Sequence, residues 1–124
     1  MNLLATIATG FVALSHFGFM ALEMFFWNHP TGQKIFNITP EFAAASESLA
    51  ANQGLYNGFL AAGLVWGMLS KKSDVVKFFL ICVIIAGFFG GFTVSLSIIK
   101  TQALPALIAL ALVFWANRKA RPTP

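Results

Sequence analysis

The chain has 124 residues, 58% of them hydrophobic and 10% charged, with a mean hydropathy of +0.79 and a formal net charge of +4. A water-soluble domain of this length cannot bury so much apolar surface and still cover itself with polar groups, so the composition names lipid as the solvent. The eight basic residues are scattered around apolar spans and make no stripe that a phosphate backbone could follow, which argues against nucleic acid as a partner.

No linker, low-complexity tract or internal repeat divides residues 1–124, and they are expected to form one integral membrane domain. Cys82 is the only cysteine, so neither an intramolecular disulfide nor a cysteine-based metal site can form, and its apolar neighbours mark it as buried filler.

The first apolar span covers roughly residues 3–27. At about 1.5 Å per residue it exceeds the roughly 30 Å hydrocarbon core of a bilayer. It reads as a membrane helix rather than a cleaved leader, because no Lys or Arg precedes it and His16 and Glu23 interrupt it. Asn28, His29, Pro30 and Gly32 end the span, and a loop is expected to follow. Thr39-Pro40-Glu41 is a helix start, with Thr39 as cap, Pro40 in the first turn and Glu41 near the positive end of the dipole. This second helix is expected to run along the interface before crossing over roughly residues 49–69. Ser70 to Asp74 connects it to a third span over roughly residues 75–99, which has no acid or base between Lys77 and Lys100. Lys100, Thr101 and Gln102 turn the chain into a fourth span over roughly residues 103–117, with Pro105 in its first turn, where a missing N–H does no harm.

The expected fold is therefore an all-α bundle of four transmembrane helices. Lys71, Lys72, Lys77, Arg118, Lys119 and Arg121 fall on one side and Lys34 and Lys100 on the other, six against two. The excess of Lys and Arg puts the six in the cytoplasm and both chain ends with them, an N-in/C-in multi-pass protein of the cell membrane. Trp27 on the outer side and Trp66 and Trp115 on the inner side suit interfacial belts.

Ionisable side chains inside a span cost roughly 2.5 to 3.5 kcal/mol each at the bilayer centre and mark functional sites by default. His16 and Glu23 lie seven residues apart on one face of the first helix, separated by about 10 Å along its axis. On the second helix Asn52, Gln53, Tyr56 and Asn57 form a polar band, with Asn52 and Tyr56, like Gln53 and Asn57, four apart. Antiparallel helices would set Glu23 near the level of Glu47 to Asn52 and His16 near Asn57. These six residues, His16, Glu23, Asn52, Gln53, Tyr56 and Asn57, are the candidate ligand site, in the outer half of the membrane. Thr93, Ser95 and Ser97 read as interhelical glue. No metal is expected, since His16, Glu23, Glu47 and His29 make a poor ligand set, and no cofactor is implied.

Gly54 with Gly58, Gly63 with Gly67, and Gly87 with Gly91 have the spacing that lets helix backbones approach closely, and the Gly87 and Gly91 pair would also serve a homodimer seam. Phosphate-loop, nucleophile-elbow, zinc-protease and dinucleotide motifs do not occur.

His16, the run Glu23-Met24-Phe25-Phe26-Trp27, Pro30, Gly32, and above all the stretch from Leu49 through Asn52-Gln53-Gly54-Leu55-Tyr56-Asn57-Gly58 to Gly63 give the chain a specific pattern. In these residues it resembles the small bacterial membrane proteins of domain-of-unknown-function family 1304, over nearly its whole length. The resemblance implies a small four-helix membrane protein and no particular activity. Three functions compete. A carrier would hold the head of a lipid-like or isoprenoid molecule in the polar outer half and its tail among the Phe side chains, an apolar small-molecule ligand. A membrane enzyme of isomerase or hydratase type would use Glu23 and His16 as acid and base. An oligomeric channel or proton-coupled transporter is disfavoured by an inner half with no polar path.

Overall fold

The computed structural model describes residues 1–119, so the expectation for Arg121 lies outside the described residues. Every regular element among them is helical: α1 (Leu3–Phe25), α2 (Pro30–Phe36), α3 (Pro40–Leu69), α4 (Ser73–Thr93) and α5 (Leu104–Lys119), the last preceded by a π turn over Ile99–Ala103. Three segments are long and apolar enough to cross a membrane: Leu3–Phe25, Ser73–Thr93 and Ile99–Arg118. The 30 residues of α3 are long enough, but Asn52, Gln53 and Asn57 lower its apolarity.

The residues group into two compact units, one of Leu14–Ala61 and one of Met1–Ala13 with the chain from Ala62 onward. The Leu14–Ala61 unit holds the second part of α1, all of α2 and most of α3. Its α3 buries Ala43, Ala50, Gly54, Asn57, Gly58 and Ala61. Their spacings of three, four and seven put small residues on a single stripe, which brings α1 close. The start of α3 follows the expected chemistry: Thr39 Oγ1 accepts the Phe42 N–H at 3.2 Å, and Pro40 opens the helix. Where a loop was expected, the chain forms α2. His29 caps it, Nδ1 accepting the Thr31 N–H at 3.2 Å, and Pro30 fixes its first φ. The helix stops at Asn37, which turns left-handed with φ of 53°.

In the other unit, α4 buries Val76, Leu80, Val83, Gly87 and Gly91, and the segment that follows buries Ala103, Ala106, Ala109 and Val113. A Cβ on Gly87 would lie 2.7 Å from the Ala103 nitrogen, and one on Gly91 would collide with Ile99. The close approach that these two glycines permit is used by Ala103 and Ile99 of the same chain.

The expected third span is α4, which ends at Thr93 and not near residue 99. The Gly90 carbonyl accepts from both Val94 N–H at 2.9 Å and Ser95 N–H at 3.2 Å, which closes the helix early, while Thr93 Oγ1 turns back to the Phe89 carbonyl at 2.8 Å. Ser95 and Ser97 share a hydroxyl contact of 2.8 Å in the exposed turn that follows. Pro105 then shapes the entry to α5. It has no N–H for the carbonyl of Thr101, and the preceding turn widens so that Leu104 N–H reaches Ile99 O, a π turn.

Candidate functional site

The Leu14–Ala61 unit contains all six residues of the expected site. Met20 and Met24 lie four apart on α1 and rest over the glycines of α3. A Cβ on Gly58 would stand 2.6 Å from Met20 Sδ, and one on Gly54 would stand 2.7 Å from Met24 Cγ and 3.0 Å from Glu23 Cβ. At Gly54 a Cβ would also stand 3.1 Å from the Met20 carbonyl oxygen, so hydrogen there lets the α1 backbone come near, whereas at Gly58 the contact is with the flexible Met20 side chain alone. That approach brings Glu23 to α3, where Asn57 Nδ2 donates to its Oε2 at 2.7 Å. Asn57 is buried, whereas Glu23 is partly exposed.

The bond uses one carboxyl oxygen. Among the described residues, Glu23 has no other protein hydrogen-bond partner, so Oε1 retains capacity for a ligand or water. The packing also shifts the register. Asn57 stands beside Glu23 rather than beside His16, because Gly54 and Gly58 receive Met24 and Met20; level matching by distance from the helix ends misses this. His16, about 10 Å away along the axis of α1, is 1% exposed with its ring edge-on to Phe19 at 5.5 Å between centroids.

Asn52, Gln53 and Tyr56 are exposed and are not gathered with Glu23 and Asn57. At about 100° per residue, Asn52 and Tyr56 fall on the side of α3 opposite the Gly54 and Gly58 stripe, and Gln53 falls at its flank. The polar band is thus divided: one amide turns inward to a carboxyl, and the rest form a separate outer face.

Met20 and Met24 are the site residues that reasoning from polarity misses. Their signal was present, because positions 16, 20, 23 and 24 share a helix face. At the end of the unit nearest α2, Trp27 Nε1 donates to Ser46 Oγ at 3.0 Å, and Ser46 Oγ in turn donates to the Phe42 carbonyl at 2.6 Å. Asn28 Nδ2 reaches Glu47 Oε2 at 3.5 Å. These contacts hold the α1 end against α3. Among the described residues no three of His, Cys, Asp and Glu come together as a metal set.

A family model described as a protein of unknown function, DUF1304, matches residues 10–114. The chain belongs to this family. The match takes in both helices that carry the Glu23 and Asn57 pair. YpaA of Lactococcus lactis subsp. lactis (strain IL1403), an uncharacterised protein, is 34% identical over 119 residues, covering 93% of this chain and 100% of the relative. No solved structure matches the chain.

Proposed function

We propose that this DUF1304 protein is a four-span protein of the bacterial inner membrane that binds or carries a lipid-like or isoprenoid molecule by its polar head. The fourth span is the part of α3 from about Leu49 to Leu69. The amides that lower its hydropathy are tolerable in a helix with polar neighbours, as Asn57 has in Glu23. Six basic residues against two favour both ends in the cytoplasm, with Glu23 and Asn57 in the outer half.

The observation that carries the ligand reading is the Glu23 carboxyl, held by Asn57 through one oxygen while the other has no protein partner among the described residues. A carboxyl within an apolar helix is costly to keep and marks a functional site by default. The head that fits is a hydrogen-bond donor, a hydroxyl or an amine. Met20 and Met24 beside it are unbranched and polarisable, and they suit an irregular apolar tail.

Solvent extraction of the detergent-purified protein, followed by mass spectrometry, tests this. One apolar species with a hydroxyl or amine head, in near-stoichiometric amount and enriched over bulk lipid, is expected. An extract that mirrors the bulk membrane composition would count against a ligand.

A further inference from the structure

In the unit that contains them, α4 begins where α5 ends. Asn117 Nδ2 donates to Ser73 Oγ at 3.1 Å and pins the last turns of α5 to the first turn of α4. An open groove of about 420 Å³ lies along this end of α5, lined by Ala111, Phe114, Trp115 and Arg118. Spacings of three and four set these side chains on one face of the helix. From α4, Lys77 holds its ammonium 5.0 Å from the centroid of the Phe114 ring. Phe114 therefore has a cation above its face and a second, Arg118, one turn along its own helix. Phe114 and Trp115 remain 47% and 46% exposed. Among the described residues no carboxylate pairs with Lys77 or Arg118; the acid nearest Lys77 in sequence, Asp74, lies exposed in the first turn of α4.

Two chemistries meet in this groove. The guanidinium fork of Arg118 in the lining and the point charge of Lys77, which stands against the Phe114 ring beside it, suit a phosphate, while Ala111, Phe114 and Trp115 suit methylene groups. A soluble anion would leave the apolar floor uncovered, and a neutral lipid would leave the cations unanswered. Both α4 and the segment ending in α5 are long and apolar enough to cross a membrane, which sets their joined ends at headgroup level. We propose that the groove binds an anionic phospholipid, with Arg118 and Lys77 on its phosphate and Ala111, Phe114 and Trp115 under its glycerol and first acyl methylenes. The assignment rests on the membrane reading of α4 and α5, and it is independent of any ligand at Glu23.

Native mass spectrometry of the full chain in detergent, with phosphatidylglycerol, phosphatidylcholine or inorganic phosphate added, tests the assignment. The protein should retain one phosphatidylglycerol several-fold better than phosphatidylcholine, and millimolar phosphate should not displace it. Lys77→Gln and Arg118→Gln should each reduce that preference about fivefold, the equivalent of about 1 kcal/mol per basic residue, while Lys34→Gln leaves it unchanged. Equal retention of the two lipids, or a preference surviving in the double variant, overturns the proposal, and displacement by inorganic phosphate replaces it with a soluble-anion site. If the double variant does not fold, the lipid comparison on the unaltered chain still decides. A chain recovered from cells without detergent would overturn the membrane reading and this site with it; a membrane-bound chain without lipid preference overturns only the site.

Discussion

Asn57 on α3 and Glu23 on α1, 34 positions apart in sequence, are joined by a 2.7 Å hydrogen bond from Nδ2 to Oε2. The bond is seated by Met20 over Gly58 and Met24 over Gly54. Replacing Asn57 by Leu removes the donor and leaves the carboxyl among apolar neighbours, at an expected cost of about 1–3 kcal/mol. Glu23→Gln keeps an acceptor at the same place and should cost less. A double-mutant cycle over Glu23→Leu and Asn57→Leu, each of which removes the hydrogen bond, read by unfolding in detergent, should give a coupling of about 0.6–1.7 kcal/mol. Zero coupling would mean that the contact contributes nothing.

Gly32 in α2 packs on backbone: a Cβ there would run into the Phe26 carbonyl oxygen and stand 3.2 Å from Trp27 Cα. Neither is the end of a flexible side chain, so Gly32→Ala must displace α2 from the end of α1. A loss of more than about 2 kcal/mol is expected, above the usual range for a surface change. An unfolding midpoint equal to that of the unaltered chain would show that α2 is not held in this way.

Lys71 occupies a left-handed conformation, φ 54°, just after α3. Its own N–H bonds to Met68 O at 3.1 Å, and the Lys72 N–H bonds to Gly67 O at 2.9 Å. That paired closure normally employs glycine, since a side chain in the left-handed region costs about 1 kcal/mol. Lys71→Gly should therefore raise stability by about that amount. A lower midpoint in thermal denaturation would mean that the Lys71 side chain contributes more than its backbone costs.

Long apolar runs made α1, α4 and α5 legible, because 20 consecutive apolar residues have few alternatives. Thr39-Pro40-Glu41 fixed the start of α3 through local capping chemistry. The seven residues of α2 escaped because so short a helix shows no periodicity, and its cap is a histidine, an unusual choice. The early end of α4 depends on how one carbonyl, that of Gly90, is shared, which composition does not encode. At the site, polarity identified Glu23 and Asn57 but not which amide faces the carboxyl. That choice is made by the fit of methionines against glycines, a matter of shape between helices rather than of either helix alone.

The topology has its own test. In a chain whose Cys82 is replaced by Ala, a cysteine at position 34 should react with an impermeant thiol reagent added outside intact cells, and one at position 72 should not. Labelling at 72 with protection at 34 would invert the membrane orientation and move Glu23 to the cytoplasmic half.

The most direct measurement of the central claim, that Glu23 and Asn57 together hold a ligand, is the amount of copurifying apolar molecule in matched preparations of the unaltered chain, Glu23→Gln, Asn57→Leu and Asn52→Leu. Glu23→Gln preserves shape and removes the carboxyl. Asn57→Leu removes the group that positions it, and Asn52→Leu alters the exposed opposite face of α3. The account predicts that the first two variants, still folded, lose most of the bound molecule and that Asn52→Leu retains it. Full retention in both Glu23→Gln and Asn57→Leu would contradict it, and the pair would then be an interhelical hydrogen bond with no ligand to hold.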